Sequence, residues 1–294
     1  MSDFETHRPL LFSIAYRMTG SAADAEDLVQ DAYVRFASSA QDEIRDVKAF
    51  LITVVTRLAL DRLKSAQHRR ETYVGPWLPE PVLTGIDGDP YARVTRDEKV
   101  ELALLRTLER LSPQERAVLL LYEVLDHDHN EIAAILNITS ASSRQILHRA
   151  KERVAEEKQR FAPPVEEQRM LIEQFMHALA ASDVDGLRQV LAADVVSIGD
   201  GGGKAFASKR PLHGFDMVSR LFLGLMEKYS AGVTYDIEEV NGAPGLVLRR
   251  GDVIETVLTF TFENGRMSEL AAIVNPDKLT FATRQSRASH RPPP

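Results

Sequence analysis

DHNEIAAILNITSASSRQILHRAKER, residues 128–153, is the stretch on which the reading of this 294-residue chain turns. Asp128 and Glu131 stand at capping-box spacing, in which the first side chain accepts an N–H from the third helical position and the second reaches back. Ile132, Ile135 and Leu136 follow at helical steps, Asn137-Ile138-Thr139 makes a short turn, and Ser140 opens a second helix. That helix is expected to bury Ile146, Ala150 and Val154 and to expose Ser142, Ser143, Arg144, Gln145, His148, Arg149, Lys151 and Arg153. Helix, tight turn and basic helix form a unit that can enter a major groove. Ser142, Ser143, Arg144 and Gln145 would then meet base edges, and Arg149, Lys151 and Arg153 would meet phosphates. A solvated basic helix is the competing reading, and motif plus charge favours DNA over it.

Working towards the N-terminus, Ser112-Pro113-Gln114-Glu115 supplies a cap, a proline at the first helical position and a third-position glutamate for a helix running to about Leu125. Val100, Leu104, Leu108 and Leu111 mark another helix before it, and Phe161-Ala162-Pro163-Pro164 closes the region, so residues 98–161 form one helical domain. Residues 1–70 form another, of three helices. The first, from Phe4 to Met18, buries Phe4, Leu11, Ile14 and Met18. Ser21 caps the second, where Ala25, Leu28, Val29, Ala32, Tyr33 and Phe36 face the core, opposite Glu26, Asp27, Gln30, Asp31 and Arg35. The third, from about Asp46 to Arg70, buries Val47, Phe50, Leu51, Val54 and Leu58. Its distal half exposes Arg57, Arg62, Lys64, Ser65, His68, Arg69 and Arg70 against the single acid Asp61, which makes a second basic stripe.

Residues 71–97, broken by proline and glycine, read as a linker, yet Trp77-Leu78-Pro79-Glu80-Pro81 within it is a stiff apolar segment that a flexible tether would not need. Residues 165–281 read as an α+β domain. Two helices span 166–192, with Ser182 capping the second, and a third lies near Phe215 to Tyr229. Strands at 233–240, 246–250, 253–262 and 266–274 follow, separated by Asn241-Gly242, Gly251-Asp252 and Asn264-Gly265 turns. Residues 282–294, polar and ending in prolines, are expected to be a disordered tail.

A net charge of -7 argues against general coating of nucleic acid and leaves local basic stripes possible. With no cysteine there is no thiolate chemistry, and no metal site, cofactor or catalytic residue is expected. No secretory signal and no apolar run of membrane length are visible, so a cytoplasmic, membrane-free protein is expected. Asp200-Gly201-Gly202-Gly203-Lys204 lacks the spacing and the following hydroxyl residue of a phosphate loop, and reads as a tight turn or a docking surface. His177, Asp183 and His213 are acid–base candidates by residue type alone.

The segments from Asp24 to Tyr33, from Ala49-Phe50-Leu51 into Leu58-Ala59-Leu60-Asp61-Arg62-Leu63, and from Leu111 to Arg116 together resemble the extracytoplasmic-function sigma factors over residues 1–160. That resemblance implies docking of the second helix on the clamp of core RNA polymerase through Glu26, Asp27, Gln30, Asp31 and Arg35. It implies minus-ten promoter contacts at Asp61, Arg62, Lys64, Ser65, His68, Arg69 and Arg70, and minus-thirty-five contacts from the helix-turn-helix. Arg57 departs from the asparagine common in the family at that position.

Trp77 to Pro81, Asp200 to Lys204 and Asn275-Pro276-Asp277-Lys278-Leu279 further resemble the subgroup with a C-terminal SnoaL-like domain. This implies a cone of helices on a curved sheet, regulation through contacts among these three segments in place of a separate anti-sigma factor, and room for a small-molecule ligand. The residues alone leave open a cyclase- or isomerase-type enzyme carrying a DNA-binding module, or a plain helix-turn-helix repressor.

Overall fold

Apolar residues at three- and four-residue steps in the N-terminal half and alternating ones near the C-terminus build two separate cores. The computed structural model describes residues 3–40, 44–70, 73–86, 102–155 and 163–289. The chain divides into two compact units, Met1–Thr72 with Arg93–Gln159, and Tyr73–Ala92 with Arg160–Pro294.

The first unit is helical: α1 (Asp3–Thr19), α2 (Ala22–Ala37), α3 (Val47–Arg70), α4 (Leu102–Glu109), α5 (Pro113–Glu123), α6 (His129–Leu136) and α7 (Ser140–Ala155). Leu11, Phe12, Ala15 and Tyr16 of α1 are fully buried, with Leu28 and Val29 of α2 beside them. The α3 stripe differs from the expected one. Leu51, Ile52, Val55, Ala59 and Leu63 are buried, whereas Val47, Phe50, Val54 and Leu58 are only partly so. The helix packs on α1 and α2 along one flank and on α5 and α6 along another, which turns its inward face. Tyr33 also leaves the expected core: it is largely exposed and meets Phe4 edge-on, with ring centroids 5.0 Å apart.

Arg116 of α5 ties the unit together from inside. Its guanidinium donates to Met18 O and, at 2.8 Å, to Glu109. Burial lowers its pKa to about 10.

The second unit holds α8 (Val165–Ala180), α9 (Val184–Val190), β1 (Leu191–Asp200), β2 (Leu212–His213), α10 (Phe215–Tyr229), β3 (Thr234–Val240), β4 (Ala243–Arg250), β5 (Val253–Glu263), β6 (Arg266–Ile273) and α11 (Pro276–Ser289). Strand order is β2-β1-β6-β5-β4-β3. Every pairing is antiparallel except β1 with β6, which runs parallel. Phe175, Leu179, Phe222, Leu246, Leu258 and Leu270 belong to the core between helices and sheet.

Three expectations need correction here. The order of helices first and meander after omits β1, because the segment from Leu191 carries no turn signal to separate it from the preceding helix. Asp183, not Ser182, caps α9, accepting from Gly186 N at 2.9 Å, while Ser182 takes the left-handed turn at φ 54°. The expected tail is helical from 282 to 289, and Ala282, Gln285 and Ser286 are buried; residues 290–294 lie outside the described ones. Residues 73–86, part of the expected linker, belong to the second unit. Leu78, Pro79, Glu80, Pro81, Val82 and Leu83 are all buried within the second unit; positions 87–97 of the expected linker lie outside the described residues.

Candidate functional site

The helix-turn-helix starts sharply at Asp128. Its carboxylate accepts from Asn130 N at 2.7 Å and Glu131 N at 2.9 Å, and Glu131 accepts from Asp128 N at 2.8 Å. These backbone hydrogen bonds, that from Glu131 foremost, hold the Asp128 carboxyl below the usual range. Asn137 ends α6 in the left-handed region at φ 54°.

Residues expected on one DNA face divide into two groups. Ser143 is fully buried, its hydroxyl 2.9 Å from His129 Nδ1, so it joins α6 to α7 and cannot meet a base edge. Ser142 is half-buried and closes the turn with Thr139, whose hydroxyl accepts from Ser142 N at 3.0 Å. Arg144 and Gln145 are exposed, and among the described residues their side chains have no partner.

Further along α7, His148 faces Glu152 at 3.5 Å. Arg153 lies 2.6 Å and Arg149 3.9 Å from the buried Glu115, and Lys151 lies 2.6 Å from Glu123. Glu123 holds the Lys151 ammonium above its ordinary pKa. These cations are exposed, but each also ties α7 to α5.

The α3 stripe is similarly shared. Arg62 is half-buried between Asp24 at 3.0 Å and Asp27 at 3.8 Å on α2. Lys64 faces Asp61 at 3.5 Å, and the Ser65 hydroxyl donates to Asp61 O at 3.3 Å. The side chains of His68, Arg69 and Arg70 lie outside the described residues. Arg57 is not a free member of the stripe, because its guanidinium donates to Ile135 O at 2.8 Å and Ala134 O at 3.1 Å, the unpaired carbonyls at the end of α6. On α2, Asp27, Gln30, Asp31 and Arg35 are exposed beside Tyr33 and Val34, and Glu26 is half-buried.

The second unit gathers three distant segments around Asp200. This aspartate is fully buried; Oδ1 accepts from the Tyr73 hydroxyl at 2.5 Å, and Oδ2 accepts from Leu78 N at 2.7 Å and Lys278 Nζ at 2.6 Å. Lys278 also donates to Leu78 O and stands over the Trp77 ring, 3.9 Å from its centroid. Asn275 Nδ2 donates to the Tyr73 hydroxyl at 2.9 Å. Burial and the bond to Asp200 push the Tyr73 phenol up, so it is a donor throughout the neutral range.

Gly202 is required here. At φ +56° it lies where a Cβ would stand 2.2 Å from Asn275 Nδ2 and 2.8 Å from the Tyr73 hydroxyl. Lys204 meets Asp277 at 2.5 Å, closing the loop onto α11. Pro276 and the buried Leu279 belong to α11 as well.

The segment is held at its far end too. Val82 N donates to Asn241 Oδ1 at 3.1 Å, Thr84 N to Glu239 O at 2.9 Å, and Leu83 N to Gln285 Oε1 at 2.9 Å. Tyr73, Asn241 and Gln285 escaped the sequence reading. Asn241 read only as a hairpin residue and Gln285 as part of a tail, and nothing local to either signals a distant backbone partner.

The acid–base candidates do not converge. His177 and His213 are exposed, and Asp183 is a helix cap. Among the described residues no cluster of potential metal ligands occurs, and no helix is long and apolar enough to cross a membrane.

The Sigma-70 region 2 family matches residues 4–69, and the Sigma-70, region 4 family matches residues 101–154. The chain is 38% identical over 299 residues to the ECF RNA polymerase sigma factor SigJ of Mycobacterium tuberculosis, covering 98% of this chain and 95% of that protein. It is 32% identical over 287 residues to the probable ECF RNA polymerase sigma factor SigI of the same species, covering 94% and 93%. The crystal structure of Mycobacterium tuberculosis SigJ aligns with a TM-score of 0.77 at 36% identity, covering 95% of this chain and 98% of that one. With both sigma regions matched in order and relatives aligned nearly end to end, the chain belongs to the ECF RNA polymerase sigma factors, which bind core RNA polymerase and promoter DNA to initiate transcription.

Proposed function

We propose that the C-terminal unit of this sigma factor controls promoter reading by gripping the segment that joins its two sigma regions. The carrying observation is the Asp200 cluster, in which a buried carboxylate, a buried ammonium and a tyrosine fix Tyr73 to Leu78. Residues 73–86 lie in the chain between the matched regions, so their conformation limits the placements those regions can take. In this reading the exposed face of α2 docks on the polymerase clamp, the distal half of α3 meets the minus-ten element, and Arg144 and Gln145 read the minus-thirty-five element. The second unit acts as a regulator without catalysis, in place of a separate anti-sigma factor, and the protein works in the cytoplasm.

Transcription with purified core polymerase tests this. Asp200→Asn and Lys278→Met should retain core binding and change promoter output several-fold. Unchanged output from both would refute control through the grip of the Asp200 cluster on Tyr73 to Leu78.

A further inference from the structure

The cations of α7 are not equally available to DNA. Four side chains of the helix carry a permanent positive charge, Arg144, Arg149, Lys151 and Arg153. Arg144, beside Gln145 near the start of the helix, faces no carboxylate among the described residues, and the other three stand against acids of α5. Glu115 Oε2 lies 2.6 Å from Arg153 Nη1, Glu115 Oε1 lies 3.9 Å from Arg149 Nε, and Glu123 Oε1 lies 2.6 Å from Lys151 Nζ. Side chains placed to reach base edges are therefore unpaired, and those placed to reach phosphates are already neutralised.

Bracing of α7 on α5 does not account for this arrangement. The three cations are exposed, and ion pairs made by exposed ends contribute little stability. Nor does the capping box at Ser112 need a charge at Glu115, because glutamine closes the same box. What the carboxylates alter is the charge that a phosphate meets. A cation held by a fixed carboxylate must leave it or share it before a phosphate oxygen can take its place, and that penalty is the same for every base sequence. Glu115, at 6% side-chain exposure, sits where salt screens its field least. Glu123 holds the Lys151 ammonium above its ordinary pKa, so this cation stays charged and stays occupied.

We infer that Glu115 and Glu123 set the DNA affinity of the helix-turn-helix: as internal competitors of phosphate they occupy the cations of α7, lowering affinity for duplexes of every sequence and leaving selection to Arg144 and Gln145. This rests on the proposed reading of the minus-thirty-five element by α7.

The full chain is titrated against a fluorescein-labelled duplex of arbitrary sequence by anisotropy, across about 50 to 200 mM potassium chloride. Glu123→Gln, at a position 45% exposed where folding is not at stake, should tighten binding several-fold at the lowest salt. It should also steepen the slope of log affinity against log salt by about 0.9, the share of one phosphate. Glu115→Gln, which keeps the capping box, should act in the same direction through Arg153. In a Lys151→Gln background the gain from Glu123→Gln should vanish. The duplexes enriched from a randomised pool should be the same for both variants and the wild type.

Unchanged affinity and salt slope in both glutamine variants, with or without a fall in melting temperature, overturns the inference and leaves the pairs as braces. A gain that survives in the Lys151→Gln background overturns it in favour of net charge alone. An altered enriched sequence overturns it in favour of base contacts by the carboxylates. Failure of the α7 reading itself registers separately, as unchanged DNA affinity of Arg144→Ala.

Discussion

Lys278 Nζ stands 2.6 Å from Asp200 Oδ2, at side-chain exposures of 7% and 0%, and the pair encloses the backbone of Leu78. Removing one partner leaves the other charge buried and uncompensated, which costs about 3–5 kcal/mol, whereas removing both costs less. Lys278→Met should therefore destabilise the second unit more than the double variant Asp200→Asn with Lys278→Met. Urea unfolding followed by Trp77 emission measures this; equal losses would show that the pair is not coupled.

On α7, exposed Arg144 and tethered Arg153 should behave differently. Arg144→Ala should weaken upstream promoter binding by about 1–3 kcal/mol, the range of a bidentate base contact, with melting unchanged. Arg153→Ala removes a partner of buried Glu115 and should lower the melting temperature of the first unit. DNA titrations beside thermal melts distinguish them, and a fold effect from Arg144→Ala with no binding effect would count against its assignment.

For polymerase docking the cleanest substitution is Asp31→Lys, since Asp27 also faces Arg62 and Glu26 is half-buried. Reversing this exposed charge should reduce co-purification with core enzyme and leave helicity intact. Normal co-purification would place the docking face elsewhere.

Acid should loosen the helix-turn-helix through Asp128. Its carboxyl is held below the ordinary aspartate range in the folded state by the backbone N–H groups of Glu131 and Asn130, so its stabilisation is complete above that range and is lost as pH falls through the lower, folded value. Asp128→Asn, which keeps an acceptor but does not titrate, should flatten the acid limb of α6 unfolding below about pH 4. An identical acid limb in the variant would remove Asp128 as its cause.

The sequence by itself determined the elements whose signals are local. Capping boxes at Ser112 and Asp128, glycine turns and helical periodicity place α1, α2, α5, α6, α7 and α10 within a residue or two, and the Asn-Gly and Gly-Asp dipeptides separate β3 to β6. The helix-turn-helix was legible from capping and periodicity as well, and the three segments that meet at Asp200 only from the family resemblance they carry. Tertiary structure decided what depends on partners far away in the chain. Ser143 carries the same polarity as Arg144 and Gln145, and only the packing of α7 on α6 buries it against His129. Arg57 looks like one more base in a stripe until the end of α6 offers it two carbonyls. β1 needed β6 beside it, and Gln285 needed Leu83 some 202 residues away, because a backbone hydrogen bond or a buried ion pair leaves no periodic trace in the sequence that forms it.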